Sequence, residues 1–306
     1  MTTDRRTAFR FAKVEALGND FVVIEATEPP ARRDALARSL CDRRRGVGAD
    51  GLLIVYSGVL GAEARAADAR RPDARVEVWN ADGSEAETSG NGLRCAACWI
   101  AAKSRRQAGG AGSPSAPSSE IVLETKAGRS RVLLPSGPAG PIRVALGQPR
   151  FRPEEIPMIP PGERRGAGES SDRFVEGRLP GVPFAVTALS VGNPHAVLFV
   201  DGPLDGSRLG PQIESHAAFP QRANVEFVRV VAPDHLTALI WERGVGPTAS
   251  SGTGAAASLV AAALTGRSAR RARVEMEGGT LEVGWEEDGV WTEGPARIVF
   301  EGKWRI

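Results

Sequence analysis

The sequence predicts an α/β protein made of two similar domains that are related by a pseudo-two-fold axis. Three pairs of short segments recur in the same order along the 306 residues. Each pair alone is a weak signal, but three pairs in one order indicate that a single structural unit has been duplicated. The pairs are residues 17–24 with 190–200, Trp79-Asn80 with Trp241-Glu242, and residues 88–97 with 250–259.

The first pair is a Gly-Asn turn that leads into a β-type run of apolar residues. Gly18-Asn19 precedes the run 21–24, and Gly192-Asn193 precedes the run 196–200. Between the paired segments, residues 34–40 have helical character, and the apolar runs 51–56 and 76–79 predict buried strands. Further on, residues 121–125 and 131–134 flank Ala127-Gly128, which predicts a hairpin. Residues 107–119 and 160–172 are rich in Gly, Pro and Ser and predict loops.

The second and third pairs share one spacing. Asn80 precedes Ser89 by nine residues (89 − 80), and Glu242 precedes Ser251 by nine (251 − 242). Each serine opens a Ser-Gly-x-Gly turn that feeds an alanine-rich, helix-favouring run. Such a turn places free backbone N–H groups and a hydroxyl at the positive end of a helix, where a carboxylate binds favourably. If the two turns face each other across a cleft between the domains, they can hold one carboxylate ligand.

Composition and charge exclude several classes of function. The content is 42% hydrophobic and 25% charged residues, which is ordinary for a globular enzyme, and the net charge of +2 gives no electrostatic reason to expect nucleic-acid binding. No run approaches 18 apolar residues and the start lacks a signal-peptide core, so we expect no membrane association. Three cysteines argue against a disulfide framework and for the reducing cytoplasm. Cys95 and Cys98 form a lone C-x-x-C pair, for which buried packing is expected rather than zinc binding.

With these motifs in place, the chain resembles the diaminopimelate epimerases over nearly its whole length. The segments that carry the resemblance are residues 18–21, 46–51, 80–86, 90–95, 191–195, 224–228, 241–244 and 252–254. The resemblance implies two α/β domains, each a sheet wrapped around a central helix, with a C-terminal strand at 296–300 that returns to the first domain. We therefore expect one domain at 1–137 together with 296–306, and the other at 138–295.

The resemblance also implies an activity. Family members invert one α-carbon of LL-diaminopimelate to give the meso isomer, a step of lysine biosynthesis, with neither pyridoxal phosphate nor a metal nor another cofactor. Two cysteines act as a paired acid and base, one removing the α-proton and the other delivering a proton on the opposite face. The expected ligand is a small-molecule amino-acid dicarboxylate, and the sequence leaves open whether the chain forms a homodimer.

By the same resemblance, a set of side chains and backbone groups is expected to bind the substrate. Backbone N–H groups at the two helix ends would hold the α-carboxylate and spread developing charge. Arg243 would pair with the distal carboxylate as a bidentate partner, and Glu242 and His195 would tune the catalytic pair. Considered without the resemblance, an Asn beside a Gly is typical of a turn, a Glu-Arg pair is typical of a surface, and His195 could cap a loop. The expected binding residues are Asn19, Asn80, Gly90, Asn91, Asn193, Asn224, Glu242, Arg243, Gly252 and Thr253.

The chain departs from the family pattern at the two acid/base positions, which hold Ser89 and Ser251 where the family has cysteine. A cysteine pKa of about 8.5 falls to about 3.5–7.5 at a helix N-terminus, whereas a serine hydroxyl is far less acidic, and the helix end supplies only about one pKa unit. Both serines also suit helix N-caps. Four accounts stay open: deliberate Cys→Ser changes that trap a substrate complex, a natural relative with a different reaction or substrate, a binding protein without catalysis, or slow epimerisation by serine.

Overall fold

Contacts along the chain define two units. The computed structural model describes residues 8–56, 72–107, 120–135, 137, 140–162, 173–202 and 204–305. The first unit runs to Val144 and resumes at Gly294, and the second is Ala145–Glu293. The sequence predicts the first boundary at residue 137, seven residues earlier (144 − 137), and the second at residue 295, two residues later (295 − 293). Most of the two predicted loops, residues 108–119 and 163–172, lies outside the described residues.

The first unit is built on a mixed sheet. Its strands are β1 (Ala8–Ala16), β2 (Asn19–Glu25), β3 (Gly51–Tyr56), β4 (Ala74–Asn80), β5 (Glu85–Ala86), β6 (Glu120–Thr125), β7 (Gly128–Leu133), β8 (Ile142–Gly147, which runs on past Val144) and β18 (Arg297–Arg305). Their order across the sheet is β18-β1-β2-β3-β4-β6-β7-β8, with β5 beside β4. The C-terminal strand, predicted at 296–300, is longer and pairs antiparallel with the first strand of the chain.

The second unit repeats that strand order. Its strands are β9 (Gly177–Arg178), β10 (Ala185–Ser190), β11 (Pro194–Phe199), β12 (Asn224–Ala232), β13 (His235–Glu242), β14 (Gly246–Thr248), β15 (Arg271–Met276), β16 (Gly279–Glu286) and β17 (Gly289–Gly294). They follow one another across the sheet as β9-β10-β11-β12-β13-β15-β16-β17, with β14 beside β13.

Strand polarity repeats as well as strand order. The parallel pairs are β2/β3 and β4/β6 in the first unit, and β11/β12 and β13/β15 in the second. All other neighbouring strands that the structure describes within each unit are antiparallel. The glycines of the two Gly-Asn turns, Gly18 and Gly192, both have positive φ angles, 79° and 106°, which only glycine adopts at no steric cost. The predicted duplication and the α/β fold class are thereby confirmed.

Each sheet wraps around one buried helix, as predicted. The helix α2 (Gly90–Gln107) contacts β1, β2, β3, β4, β7 and β18, and the helix α4 (Gly252–Leu264) contacts β10, β11, β12, β13, β15 and β16. Residues 252–262 of α4 are buried throughout, which suits its alanine-rich sequence because small side chains let strands approach on every side. No helix among the described residues is long and apolar enough to span a membrane.

A second helix covers the opposite face of each sheet. In the first unit, α1 (Arg33–Cys41) contacts β2, β3 and β4; in the second unit, α3 (Gly206–Glu214) contacts β12, β13 and β14. Coverage of both faces explains why β3 and the first half of β12 are buried at every residue. Val225 and Phe227 of β12 pack with Ile213 of α3. Because successive side chains alternate between the two faces of a sheet, Glu226 lies on the opposite face, which α4 covers.

Candidate active site

The two central helices begin with a capping serine. Ser89 Oγ accepts a hydrogen bond from the N–H of Gly92 at 3.0 Å, and Ser251 Oγ accepts one from the N–H of Gly254 at 3.1 Å. Ser251 has the extended backbone of an N-cap, with φ −141° and ψ 126°. The predicted capping role of both serines is confirmed, and each cap contributes about 1 kcal/mol of stability.

The second glycine of each turn lets the helix end lie directly on the sheet. A Cβ atom at Gly92 would stand 3.0 Å from Ser89 Cβ and 3.3 Å from Leu53 Cδ2. At Gly254, a Cβ atom would stand 3.0 Å from Ile240 Cδ1 and 3.1 Å from Glu226 Oε1. The Ser-Gly-x-Gly pattern therefore places a hydroxyl and the first N–H groups of the helix at a helix end with strands packed beneath it.

In the first unit, the predicted residues Asn19, Asn80, Ser89, Gly90 and Asn91 form what we call the first cluster. Asn91, which is buried, donates from Nδ2 to Asn19 Oδ1 at 3.4 Å. Asn80 ends β4 and donates from Nδ2 to Ser84 Oγ at 2.9 Å. The structure thus joins Asn19 to the helix end, whereas the hydrogen bond of Asn80 goes to its own turn.

An ion-pair network that the sequence did not predict anchors the first cluster. Asn19 Nδ2 donates to Asp50 Oδ2 at 2.9 Å, and Arg43 bridges Asp50 and Asp20 at 2.7 and 2.9 Å. The buried Lys13 ammonium lies 2.7 Å from Asp20 Oδ2. Burial opposes ionisation of Asp20, but hydrogen bonds from Arg43 and Lys13 outweigh it and hold the pKa of this carboxyl below its usual range. Asp20 is therefore a fixed negative charge in the folded chain.

We expect Asp20→Asn to lower the free energy of unfolding by about 2 kcal/mol at pH 7, because it leaves the Lys13 ammonium without its carboxylate. The pKa of Asp20 lies lower in the folded than in the unfolded chain, so this stabilisation is present above about pH 4 and is lost as the pH falls through the folded-state value. Urea unfolding of both proteins at pH 7 and at several lower values measures the difference. If the difference in the free energy of unfolding between the two proteins stays constant down to about pH 2, the ion-pair explanation is wrong. Asp34→Asn, which removes a carboxylate from an exposed pair with Arg38, serves as the control.

In the second unit, we call the residues Asn193, His195, Asn224, Glu242, Arg243, Ser251, Gly252 and Thr253 the second cluster. His195, fully buried, stands with Nε2 2.8 Å from Asn193 Oδ1. Asn193 Nδ2 in turn reaches Thr253 Oγ1 at 3.5 Å, and Thr253 Oγ1 lies 3.4 Å from Ser251 Oγ. These four predicted residues therefore form one hydrogen-bonded chain that ends at the capping serine.

The remaining members of the second cluster lie at the ends of β12 and β13. Asn224 is buried and braces two backbone segments, donating from Nδ2 to the Pro194 carbonyl and accepting the Arg243 N–H, both at 2.9 Å. The Arg243 guanidinium is partly buried and donates to the Gln221 carbonyl at 3.4 Å. Glu242, the last residue of β13, is also partly buried. Asn224 thus sets the backbone from which the Arg243 side chain extends.

A buried carboxyl group that the sequence did not predict is a partner of His195. His195 Nδ1 lies 2.7 Å from Glu226 Oε1, and both side chains are fully buried. In the sequence, Glu226 stands out only as part of the segment 224–228, and the signal that could identify it is its place in a buried strand near the predicted Asn224.

None of the three cysteines can replace the missing thiols of the two helix ends. Cys41, Cys95 and Cys98 are free and buried, as predicted for the latter two. Burial raises the pKa of Cys41 to about 12, and it also raises the pKa of Cys95 and of Cys98. Within the described part of the chain, no cluster of three or more His, Cys, Asp or Glu side chains is placed to bind a metal ion.

Comparisons with known proteins agree with this architecture. The family profile described as "Diaminopimelate epimerase" matches residues 11–139 and 187–299. A diaminopimelate epimerase from Desulforudis audaxviator is 42% identical over 96% of this chain and 98% of its own length, and diaminopimelate epimerase 1 from Nostoc sp. is 40% identical over 97% and 99%. The crystal structure of a hydroxyproline epimerase from Agrobacterium vitis shares the fold, with a TM-score of 0.65 at 15% identity over 100% of this chain and 94% of that chain. The chain belongs to the diaminopimelate epimerase family.

Proposed function

We propose that the chain is a cofactor-independent amino-acid epimerase of the diaminopimelate type, with Ser89 and Ser251 at its two acid/base positions. The observation that carries the proposal is the repetition of one arrangement in both units: a helix N-terminus, a hydroxyl that caps it, and an asparagine joined to the helix end. Inversion of an α-carbon requires two such positions, one to remove a proton and one to deliver it.

The charge and donor pattern of the clusters supports a dicarboxylate amino acid as the ligand. The N–H groups at Gly90, Asn91, Gly252 and Thr253 suit an α-carboxylate and the negative charge that develops when the α-proton leaves. The guanidinium of Arg243 suits a second carboxylate. Asn19, Asn80, Asn193 and Asn224 supply amide groups for the substrate's polar atoms, and Glu242 and His195 act on the acid/base positions.

A second candidate, a binding protein that has lost catalysis, is favoured by one observation, the presence of hydroxyls at both acid/base positions. A serine can act when a neighbouring base takes its proton, but among the described residues the hydroxyls of Ser89 and Ser251 are hydrogen-bonded to N–H and O–H groups and not to a base. Both candidates predict binding of diaminopimelate, and they differ in turnover.

The test is calorimetric binding of LL- and meso-diaminopimelate, followed by NMR of α-proton exchange in D₂O. We expect both isomers to bind and the chain as it stands to exchange the α-proton slowly. Binding with no exchange over days supports the second candidate. Failure of both isomers to bind rejects both candidates and leaves a related isomerase with a different substrate.

A further inference from the structure

The second unit contains a buried carboxyl group that the proposed reaction does not yet use. Glu226 lies in β12 with no solvent exposure, and its Oε1 contacts His195 Nδ1 at 2.7 Å. Its other oxygen, Oε2, has no hydrogen-bond partner among the described residues. The carboxyl lies beneath the first turn of α4, 3.1 Å from the point that a Cβ at Gly254 would occupy.

The surroundings of Glu226 favour the neutral acid over the carboxylate. Of the elements packed around it, α4 carries no charged residue, β11 contributes His195, and β13 contributes Ile240 opposite it, with Glu242 at the strand end. Burial raises the pKa of Glu226, and His195 opposes only part of that rise. A carboxylate would leave Oε2 charged, buried and unpaired, which is costly, whereas the acid can donate its proton to His195 Nδ1.

A protonated Glu226 gives the hydrogen-bonded chain a direction. When His195 Nδ1 accepts, the neutral imidazole carries its proton on Nε2 and donates it to Asn193 Oδ1 at 2.8 Å. The Asn193 amide then presents Nδ2 to Thr253 Oγ1, and the Thr253 hydroxyl is free to donate to Ser251 Oγ. That oxygen also accepts the N–H of Gly254, so every donor in the chain points toward position 251.

The corresponding chain in the first unit runs the opposite way. Asn91, the counterpart of Thr253, donates to Asn19, and Asn19 donates to the carboxylate of Asp50. Asn91 itself accepts a hydrogen bond from the buried guanidinium of Arg94. From Asn91 onward, the donors lead away from the helix end and finish on a negative charge. The strand register places Phe21 and Leu53 where the second unit has His195 and Glu226, and Leu53 lies beneath Gly92 as Glu226 lies beneath Gly254.

We propose that Glu226 is a positioning residue that makes the two acid/base positions unequal, by starting a donor chain that stabilises negative charge on the side chain at position 251. Position 251 is then the proton acceptor of the resting protein, and position 89 is the proton donor. The assignment of these roles rests on the proposed function, but the polarity of the two chains is a property of the protein without substrate.

The experiment measures thiol acidity in the single variants Ser251→Cys and Ser89→Cys, from thiolate absorbance against pH. The three native thiols are buried, and burial raises the pKa of each, so the introduced thiol dominates the change below about pH 9. We expect the thiol of Ser251→Cys to ionise at a pH about one unit lower than that of Ser89→Cys, a tenfold difference in the thiolate-to-thiol ratio. Equal or reversed acidities would overturn the proposal.

Substitution of Glu226 tests the origin of the difference. In the Ser251→Cys background, Glu226→Leu should raise the thiol pKa by about one unit, or tenfold in the thiolate ratio. Leucine is the residue that the first unit has at this position, and it cannot donate a proton to His195 Nδ1. Glu226→Gln should leave the thiol pKa unchanged, since an amide N–H can replace the acid as donor to His195 Nδ1. If Gln behaves as Leu does, the donor-chain explanation is wrong.

Two controls separate polarity from general effects of charge and folding. Glu226→Leu should leave the thiol pKa of Ser89→Cys unchanged. Glu275→Gln, which changes an exposed carboxyl 3.0 Å from His235 Nε2, should leave the pKa of both introduced thiols unchanged.

The protonation of His195 can be measured directly in the unsubstituted protein. The ¹⁵N spectra of its three histidines, assigned by replacing His216 and His235, should show His195 protonated on Nε2 and without a proton on Nδ1. A proton on Nδ1 overturns the proposal whether or not the variants fold. None of these measurements uses substrate, so absence of turnover rejects the proposed function alone.

Discussion

Replacing both capping serines, as Ser89→Cys/Ser251→Cys, is expected to accelerate α-proton exchange of diaminopimelate by at least about a thousandfold. A positioned acid or base contributes about 10²–10⁴-fold to such a step, and the double variant supplies both. A thiol at a helix N-terminus ionises with a pKa of about 3.5–7.5, so a large fraction is thiolate at neutral pH, whereas the serine hydroxyl is not ionised. The measurement is deuterium incorporation at the α-carbon, followed by NMR in D₂O for the variant and the unchanged chain.

The single variants are the matched controls for this prediction. Inversion requires a group on each face of the α-carbon, so either single variant should interconvert the LL and meso isomers far more slowly than the double variant. Thiols also cap helices less well than hydroxyls, and we expect the double variant to lose about 1 kcal/mol of stability per cap in urea unfolding. A folded double variant that binds diaminopimelate and still shows no exchange would falsify the acid/base assignment of positions 89 and 251.

The duplicated fold was predictable because the repeated residues are those that the backbone geometry requires. Gly18 and Gly192 hold positive φ angles in equivalent turns, and Gly92 and Gly254 lie where a Cβ would press on the strand beneath. Such positions tolerate few substitutions in either copy, so the repeat survives in the sequence. The strands and helices between them followed from apolar runs and the alanine-rich segments.

The polar contacts beneath the helix ends were not predictable from pattern. His195 and Glu226 are 31 residues apart, and Asp20 and Asp50 are 30 apart, and only the parallel pairings β11/β12 and β2/β3 bring each pair together. Arg43 lies in a run of three arginines, 43–45, and nothing in that run indicates the two carboxylates that it bridges. Where the two units differ, as at Leu53 and Glu226, a search for repeats carries no signal, because such a search detects only what the copies share.

Arg243→Ala is expected to weaken diaminopimelate binding by about 100-fold or more. Removing one partner of a buried, hydrogen-bonded charge pair costs about 2–5 kcal/mol, much of it from the carboxylate left unpaired. Asn224 fixes the backbone N–H of Arg243 at 2.9 Å, and among the described residues the guanidinium makes one hydrogen bond, to the Gln221 carbonyl. Four of its five N–H groups therefore remain for a ligand. Titration calorimetry of the variant and the unchanged chain gives the two dissociation constants.

The matched control is Arg222→Ala, which removes an arginine that is mostly exposed and pairs with Glu214 at 3.5 Å. The affinity of this variant for diaminopimelate should stay within about twofold of that of the unchanged chain, because exposed ion pairs contribute little. L-Lysine supplies the complementary control, since it is diaminopimelate without the distal carboxylate. If Arg243 binds that carboxylate, the unchanged chain prefers diaminopimelate to lysine, and Arg243→Ala abolishes the preference while leaving lysine binding as weak as before. An equal loss for both ligands would instead mean that Arg243 supports the shape of the pocket, because a side chain that recognises one carboxylate cannot affect a ligand that lacks it.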